Sequence, residues 1–122
     1  MIAVLDALAA WREAMVTGLS CSHPFTDNAL TMALPTSRLT IKPAGTFTVP
    51  VCVALDLEER VTVEKETDLA TVVGLLRDLS GGLCYTAGAR IHSHVLISET
   101  PAPDENQRWQ TVLRWKVVAS WE

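Results

Sequence analysis

TSRLTIKPAGTFTVPVCVALDL, residues 36–57, is the stretch on which the fold turns. Leu39 and Ile41 alternate with Arg38, Thr40 and Lys42, and after Pro43-Ala44-Gly45 the apolar residues Phe47, Val49, Val51, Val53, Leu55 and Leu57 occupy every second position. A period of two belongs to a strand with one buried face. Pro-Ala-Gly is turn chemistry, so the stretch predicts a β-hairpin that reverses at residues 43–45. Pro50 has no N–H to give a ladder, which places its strand at a sheet edge or at a bulge. Val61 and Val63 extend the sheet briefly.

Working outward, Val4, Leu8, Trp11, Met15 and Leu19 fall on one arc of a helical wheel, opposite Asp6, Glu13 and Thr17. The spacing predicts an amphipathic helix over 2–17, stopped by Gly18. LSCSHPFTDN carries Pro24, Asp27 and Asn28 without periodicity and reads as a loop. A second helix is expected from an N-cap at Thr67, with Asp68 favourable to the helix dipole and Leu69, Val72, Val73, Leu76 and Leu79 on the buried side. Gly81-Gly82 would end it. Two further alternating runs, Ile91-Ser93-Val95-Ile97 and Trp109-Thr111-Leu113-Trp115-Val117-Ala119-Trp121, flank the Pro-rich loop ETPAPDENQ and predict a second hairpin. In it Trp115 is the core anchor of the last strand.

The order helix, two or three strands, helix, two strands gives one α+β domain over residues 1–122. The simplest arrangement that buries each apolar face is a single antiparallel or mixed sheet of four to five strands with both helices packed on one face. The composition agrees: 122 residues, 48% hydrophobic and 20% charged, suit one folded domain and not a disordered chain. A net charge of −4 argues against general binding to a phosphate backbone. Asp6, Arg12 and Glu13 interrupt the apolar N-terminus well short of the roughly 18 uncharged residues of a membrane span. Without a signal-peptide pattern, the chain is expected to remain in the cytoplasm, with Cys21, Cys52 and Cys84 as reduced thiols.

No motif carries catalysis. Strand alternation puts His92 and His94 on one face, the geometry of a two-histidine metal contact, but the third ligand is lacking and a solvated strand face is the better reading. Cys21 and His23 would be a nucleophile–base pair only if a loop brought neighbours two apart into hydrogen-bond geometry. Ser80-Gly81-Gly82-Leu83 has glycines but neither the nucleophile elbow nor the lysine of a phosphate loop. Arg108-Trp109 and Arg114-Trp115-Lys116 mix cations with aromatics as single-strand binders do, yet in a strand the tryptophans and the cations face opposite ways. No catalytic, cofactor or metal residue is assigned.

Asp56, Glu58, Glu59, Glu64, Glu66 and Asp68 against Arg60 and Lys65 place the whole net charge of −4 in residues 56–68. Charge this dense predicts a projecting loop between the strand ending near Leu57 and the helix starting near Thr67, kept for solubility or for a partner. Glu58, Glu59 and Glu64 are its candidate interface residues. An unbroken strand from Arg108 to Trp121 would run about 45 Å, beyond the roughly 35 Å diameter of a compact chain this long. It is expected to overhang, with Trp121 at an interface between copies.

MIAVLDALAAW, the TSRLTIKPAGTFTVPVCVALDL hairpin, the ETDLATVVGLLRDLSGGL helix and the closing QTVLRWKVVASWE strand together resemble the tail terminator (tail completion or minor tail) proteins of long-tailed phages. The resemblance covers nearly all 122 residues and is one of pattern. It implies a virion structural protein, not an enzyme, that forms a homohexameric ring. The ring would cap the tail tube, stop its polymerisation and meet the head–tail connector. DNA would pass through the lumen without specific binding, and neither cofactor nor membrane is involved. Another phage neck or tail-tube component, or a small cytoplasmic ligand-binding domain, are the alternatives.

Overall fold

The computed structural model describes residues 2–25, 34–46, 52–81, 85–103 and 108–121. Its elements in chain order are α1 (Ile2–Met15), β1 (Ser20–Ser22), β2 (Thr36–Thr46), β3 (Val53–Val63), α2 (Glu66–Arg77), β4 (Tyr85–Ala87), β5 (Ala89–Pro103) and β6 (Trp109–Ser120). The strands form one sheet in the order β1-β2-β3-β6-β5-β4, antiparallel throughout except for the parallel β1–β2 pair.

This corrects the expected fold class. The molecule is α+β, but its sheet has six strands curled into a half-barrel, and the helices do not share one face of a flat sheet. α1 lies against β1, β2, β4 and β5, reaching both margins of the sheet, whereas α2 packs on the central strands β3 and β6. The curl has local causes. β2 carries a bulge between Pro43 and Gly45, and β5 carries two, between Ile91 and Ser93 and between Leu96 and Ser98. Each bulge bends its strand and increases twist.

The two extra strands are three residues each, too short to show alternation. Ser20–Ser22, expected as loop, pairs in parallel with Thr36–Arg38. Tyr85–Ala87 folds back on Ala89–Ile91 through Gly88 at φ +77, a conformation open to glycine. Pro43-Ala44-Gly45 is not the turn of the first hairpin: β2 runs on to Thr46, which pairs with Val53. Phe47, Val49, Pro50 and Val51 lie outside the described residues. Val61 and Val63 belong to β3 and are buried.

α1 ends at Met15 and the chain turns at Gly18, φ +83. Its Val4, Leu8 and Trp11 are buried as expected. Met15, on the same arc, is 57% exposed because it is the last helical residue. α2 begins one residue before Thr67, with Lys65 as N-cap and no side-chain cap, and Val72, Val73 and Leu76 are buried. Gly81 is not the C-cap, which is Asp78. It sits three residues on, at φ +122, and bridges β5 by donating its N–H to the His94 carbonyl at 2.9 Å.

β6 places Leu113, Trp115, Val117 and Ala119 inward, each at most 1% exposed, as its alternation requires. They meet Leu39 of β2 and Leu55, Leu57 and Val61 of β3 under α1 and α2. Full burial of one such aliphatic side chain stabilises by about 1.5–3 kcal/mol. The strand does not overhang its sheet. Trp109–Ser120 spans about 36 Å at the rise of a strand and is paired along its length by β3 on one side and β5 on the other.

Candidate functional site

β3 is a central strand, and its odd-numbered residues from Leu55 to Val63 face the core. Glu59 stands in phase with Leu55, Leu57, Val61 and Val63 and is fully buried, so residues 56–63 are not a projecting loop. A buried carboxylate needs a counter-charge and donors, and three elements supply them. Arg12 of α1, also fully buried, donates from Nε to Oε2 at 2.8 Å. Ser37 of β2 donates its hydroxyl to the same oxygen, and Trp115 Nε1 of β6 donates to Oε1 at 3.0 Å.

The guanidinium is used further. One terminal nitrogen donates to the Leu8 carbonyl at 3.3 Å, and the other lies 2.8 Å from His94 Nε2. An Arg nitrogen can only donate, so His94 Nε2 accepts and its Nδ1–H donates to the Leu79 carbonyl at 3.1 Å. The imidazole is therefore the neutral Nδ1–H form. It stacks on Trp115 with centroids 4.0 Å apart and meets Trp11 at 4.8 Å, and Trp11 in turn stacks on Tyr85. Among the described residues no buried side-chain nitrogen or oxygen lacks a partner.

Burial, and then the Arg12 charge, push the His94 pKa down to about 3, against a weaker upward pull from the Leu79 carbonyl. The unfolded chain therefore binds this proton more readily than the folded one. The contribution to stability is complete above about pH 6.5 and is lost as pH falls toward 3, by about 1.4 kcal/mol per pH unit. Between pH 7 and pH 5 the urea midpoint is expected to fall, and His94→Gln is expected to flatten that slope even though its midpoint at pH 7 is lower.

The Cys21 thiol borders this cluster. Burial, and then Glu59, push its pKa up to about 12, which leaves it no thiolate at neutral pH. Cys21 and His23 do not pair: His23 Nε2 meets Asp6 Oδ1 at 2.7 Å. Cys21 and Cys52 are free thiols, and Cys84 lies outside the described residues. Cys21 is expected to resist a thiol-labelling reagent in the native protein and to react fully in denaturant, read by mass spectrometry.

The bulge at His92 explains why β5 departs from simple alternation. The extra residue shifts the phase by one, so His94 pairs with inward-facing Val117 and enters the core, while Val95 and Ile97 are 40% and 57% exposed. His92 Nε2 meets Ser120 Oγ at 2.7 Å and shares no site with His94. No group of three His, Cys, Asp or Glu side chains suited to a metal occurs among the described residues.

The opposite face of the sheet holds an open cleft of about 640 Å³. Across β2, β3 and β6 its floor reads Thr40, Glu58, Arg114 in one row and Lys42, Asp56, Lys116 in the next, with Ile97 of β5 at the side. Lys116 pairs with Asp56 at 2.9 Å, and Glu58 is 3.8 Å from Arg60. Lys42 and Arg114 make no ion pair among the described residues. Glu58 thus lies in the cleft, Glu64 is exposed beyond the end of β3, and Trp121 is half-buried against the core. Arg114 and Lys116 are on the side opposite Trp115, as alternation requires, while Trp109 is 44% exposed.

Sequence reasoning missed Arg12 and Ser37. The signals for Arg12 and Glu59 were present: Arg12 lies on the Leu5–Leu8 side of α1, and Glu59 keeps the period of β3. Neither a scan of protein-family models nor a comparison with curated proteins finds a match to this sequence. No helix among the described residues is long and apolar enough to cross a membrane.

Proposed function

We propose that this chain is a tail terminator of a long-tailed phage, a virion structural protein whose copies form a six-membered ring. The ring caps the tail tube, halts its growth and joins it to the head–tail connector, with DNA passing through the lumen unbound. Support comes first from the resemblance drawn from the sequence, beside an element order of one helix, three strands, a second helix and three strands among the described residues. The observation that carries the reading is the contrast between the two sides of the sheet. The inner side is a core whose buried polar groups satisfy one another, whereas the outer side presents a cleft in which Lys42 and Arg114 have no ion pair among the described residues, beside an exposed isoleucine.

Strand edges favour assembly through faces. Ser80 and Gly81 cover the outer edge of β5 at His94 and Leu96, and Pro101 and Pro103 follow along that strand. Pro43 and a bulge interrupt the free half of β2. These are devices that discourage strand addition. A ring of identical copies needs a heterologous contact, two different surfaces of each subunit. The test is the mass of the purified full chain by sedimentation velocity, alone and with tail tubes, with negative-stain images of tube ends. Rings at tube ends and tubes of uniform length are expected; one isolated copy per particle would overturn the proposal.

A further inference from the structure

We infer that the outer-face cleft receives the acidic turn Glu64–Asp68 of a neighbouring copy; this rests on the ring reading and names its contact. Glu64, Lys65, Glu66, Thr67 and Asp68 are all exposed where β3 passes into α2, with a net charge of −2 from three acids and one base. The cleft holds Lys42, Arg114 and Lys116 against Asp56 and Glu58, a net +1, and among the described residues only Lys116 is neutralised at close range. Arg114 stands opposite Glu58 in the ladder without forming an ion pair with it.

The chain cannot satisfy this cleft from its own turn. Asp56 and Glu58, on the cleft floor, and Val63, the residue before the turn, lie on one strand, seven and five residues or about 23 and 17 Å apart. Both exceed the combined reach of a glutamate and a lysine side chain. The complementary charges are thus separated on two surfaces of one molecule, the condition for a heterologous contact. Complementary potentials also select partner and register. At about 640 Å³ the cleft admits a turn of peptide, and Ile97 would lose its exposure beneath it.

The test uses a mixture of isotopically heavy and light full-length protein treated with a carbodiimide, which joins a carboxylate to an amine only in direct contact. Mixed-isotope peptides linking Glu64, Glu66 or Asp68 to Lys42 or Lys116 are expected. Lys42→Glu with Arg114→Glu should weaken self-association at least tenfold by sedimentation, and adding Glu64→Lys with Glu66→Lys should restore it; thermal unfolding confirms that each variant folds. A ring whose cross-links map elsewhere, or whose association is indifferent to these reversals, overturns this contact and leaves the ring standing. A chain that stays monomeric at all concentrations, tail tubes included, overturns both.

Discussion

Glu59→Gln is expected to lower the melting temperature by roughly 10–20 °C, the equivalent of about 3–5 kcal/mol for stranding one partner of a buried ion pair. Arg12 would keep its full charge inside the half-barrel with no anion beside it, since Glu59 is its only carboxylate partner among the described residues. Ser37 and Trp115 would each face an amide in place of a carboxylate. The double substitution Arg12→Met with Glu59→Leu is expected to cost clearly less than the sum of its two single substitutions, because it leaves no buried charge. Urea unfolding of the four proteins in the cycle measures this. Additive losses would mean that the two side chains do not act as a pair.

The second large effect is at Trp115. Truncation of a buried Trp to Ala costs about 3–5 kcal/mol through lost contacts and the cavity left behind. Here it also removes the donor to Glu59 Oε1 and the surface on which His94 stacks. Trp115→Ala is expected to unfold the domain or to leave it marginal at 37 °C. Trp121→Ala removes a half-buried ring at the margin of the core and is expected to cost less than half as much in folding while weakening association between copies. Thermal unfolding and sedimentation of both variants separate these effects. Equal losses of melting temperature would contradict this division of roles.

Two consequences of the buried network reach the rest of the molecule. It ties α1 to β2, β3, β5 and β6 through charge-assisted bonds whose directions are fixed, so that the curl of the sheet and the position of α1 depend on each other. It also occupies the space between sheet and helices in which a ligand-binding domain would hold its pocket. The accessible chemistry is left to the exposed surface, where Lys42, Arg114 and Ile97 stand in the cleft and Glu64, Glu66 and Asp68 stand beyond the end of β3.

The elements were legible where one residue pattern persisted long enough to outvote its neighbours. The apolar arc of α1, the alternation of Leu55, Leu57, Val61 and Val63, and the Trp115 face of β6 are local properties, because side-chain direction follows from the period of helix or strand. Glu59 shows the limit of weighing composition over period. Counted with its neighbours it belongs to a charged loop, but counted in phase it belongs to the core. A residue's phase along a strand decides its face whatever its charge.

Tertiary structure decided the rest. The curl of the sheet, the burial of His94 and the exposure of Val95 and Ile97 follow from bulges, each a single residue inserted between partners that the chain's own order does not reveal. β1 and β4 exist because longer strands give them an edge to pair with, since three residues cannot hold a strand by themselves. The Arg12–Glu59 pair, 47 residues apart in sequence, forms only when α1 settles into the half-barrel. Local pattern reports the face a residue presents, while the partner it meets there is set by long-range packing.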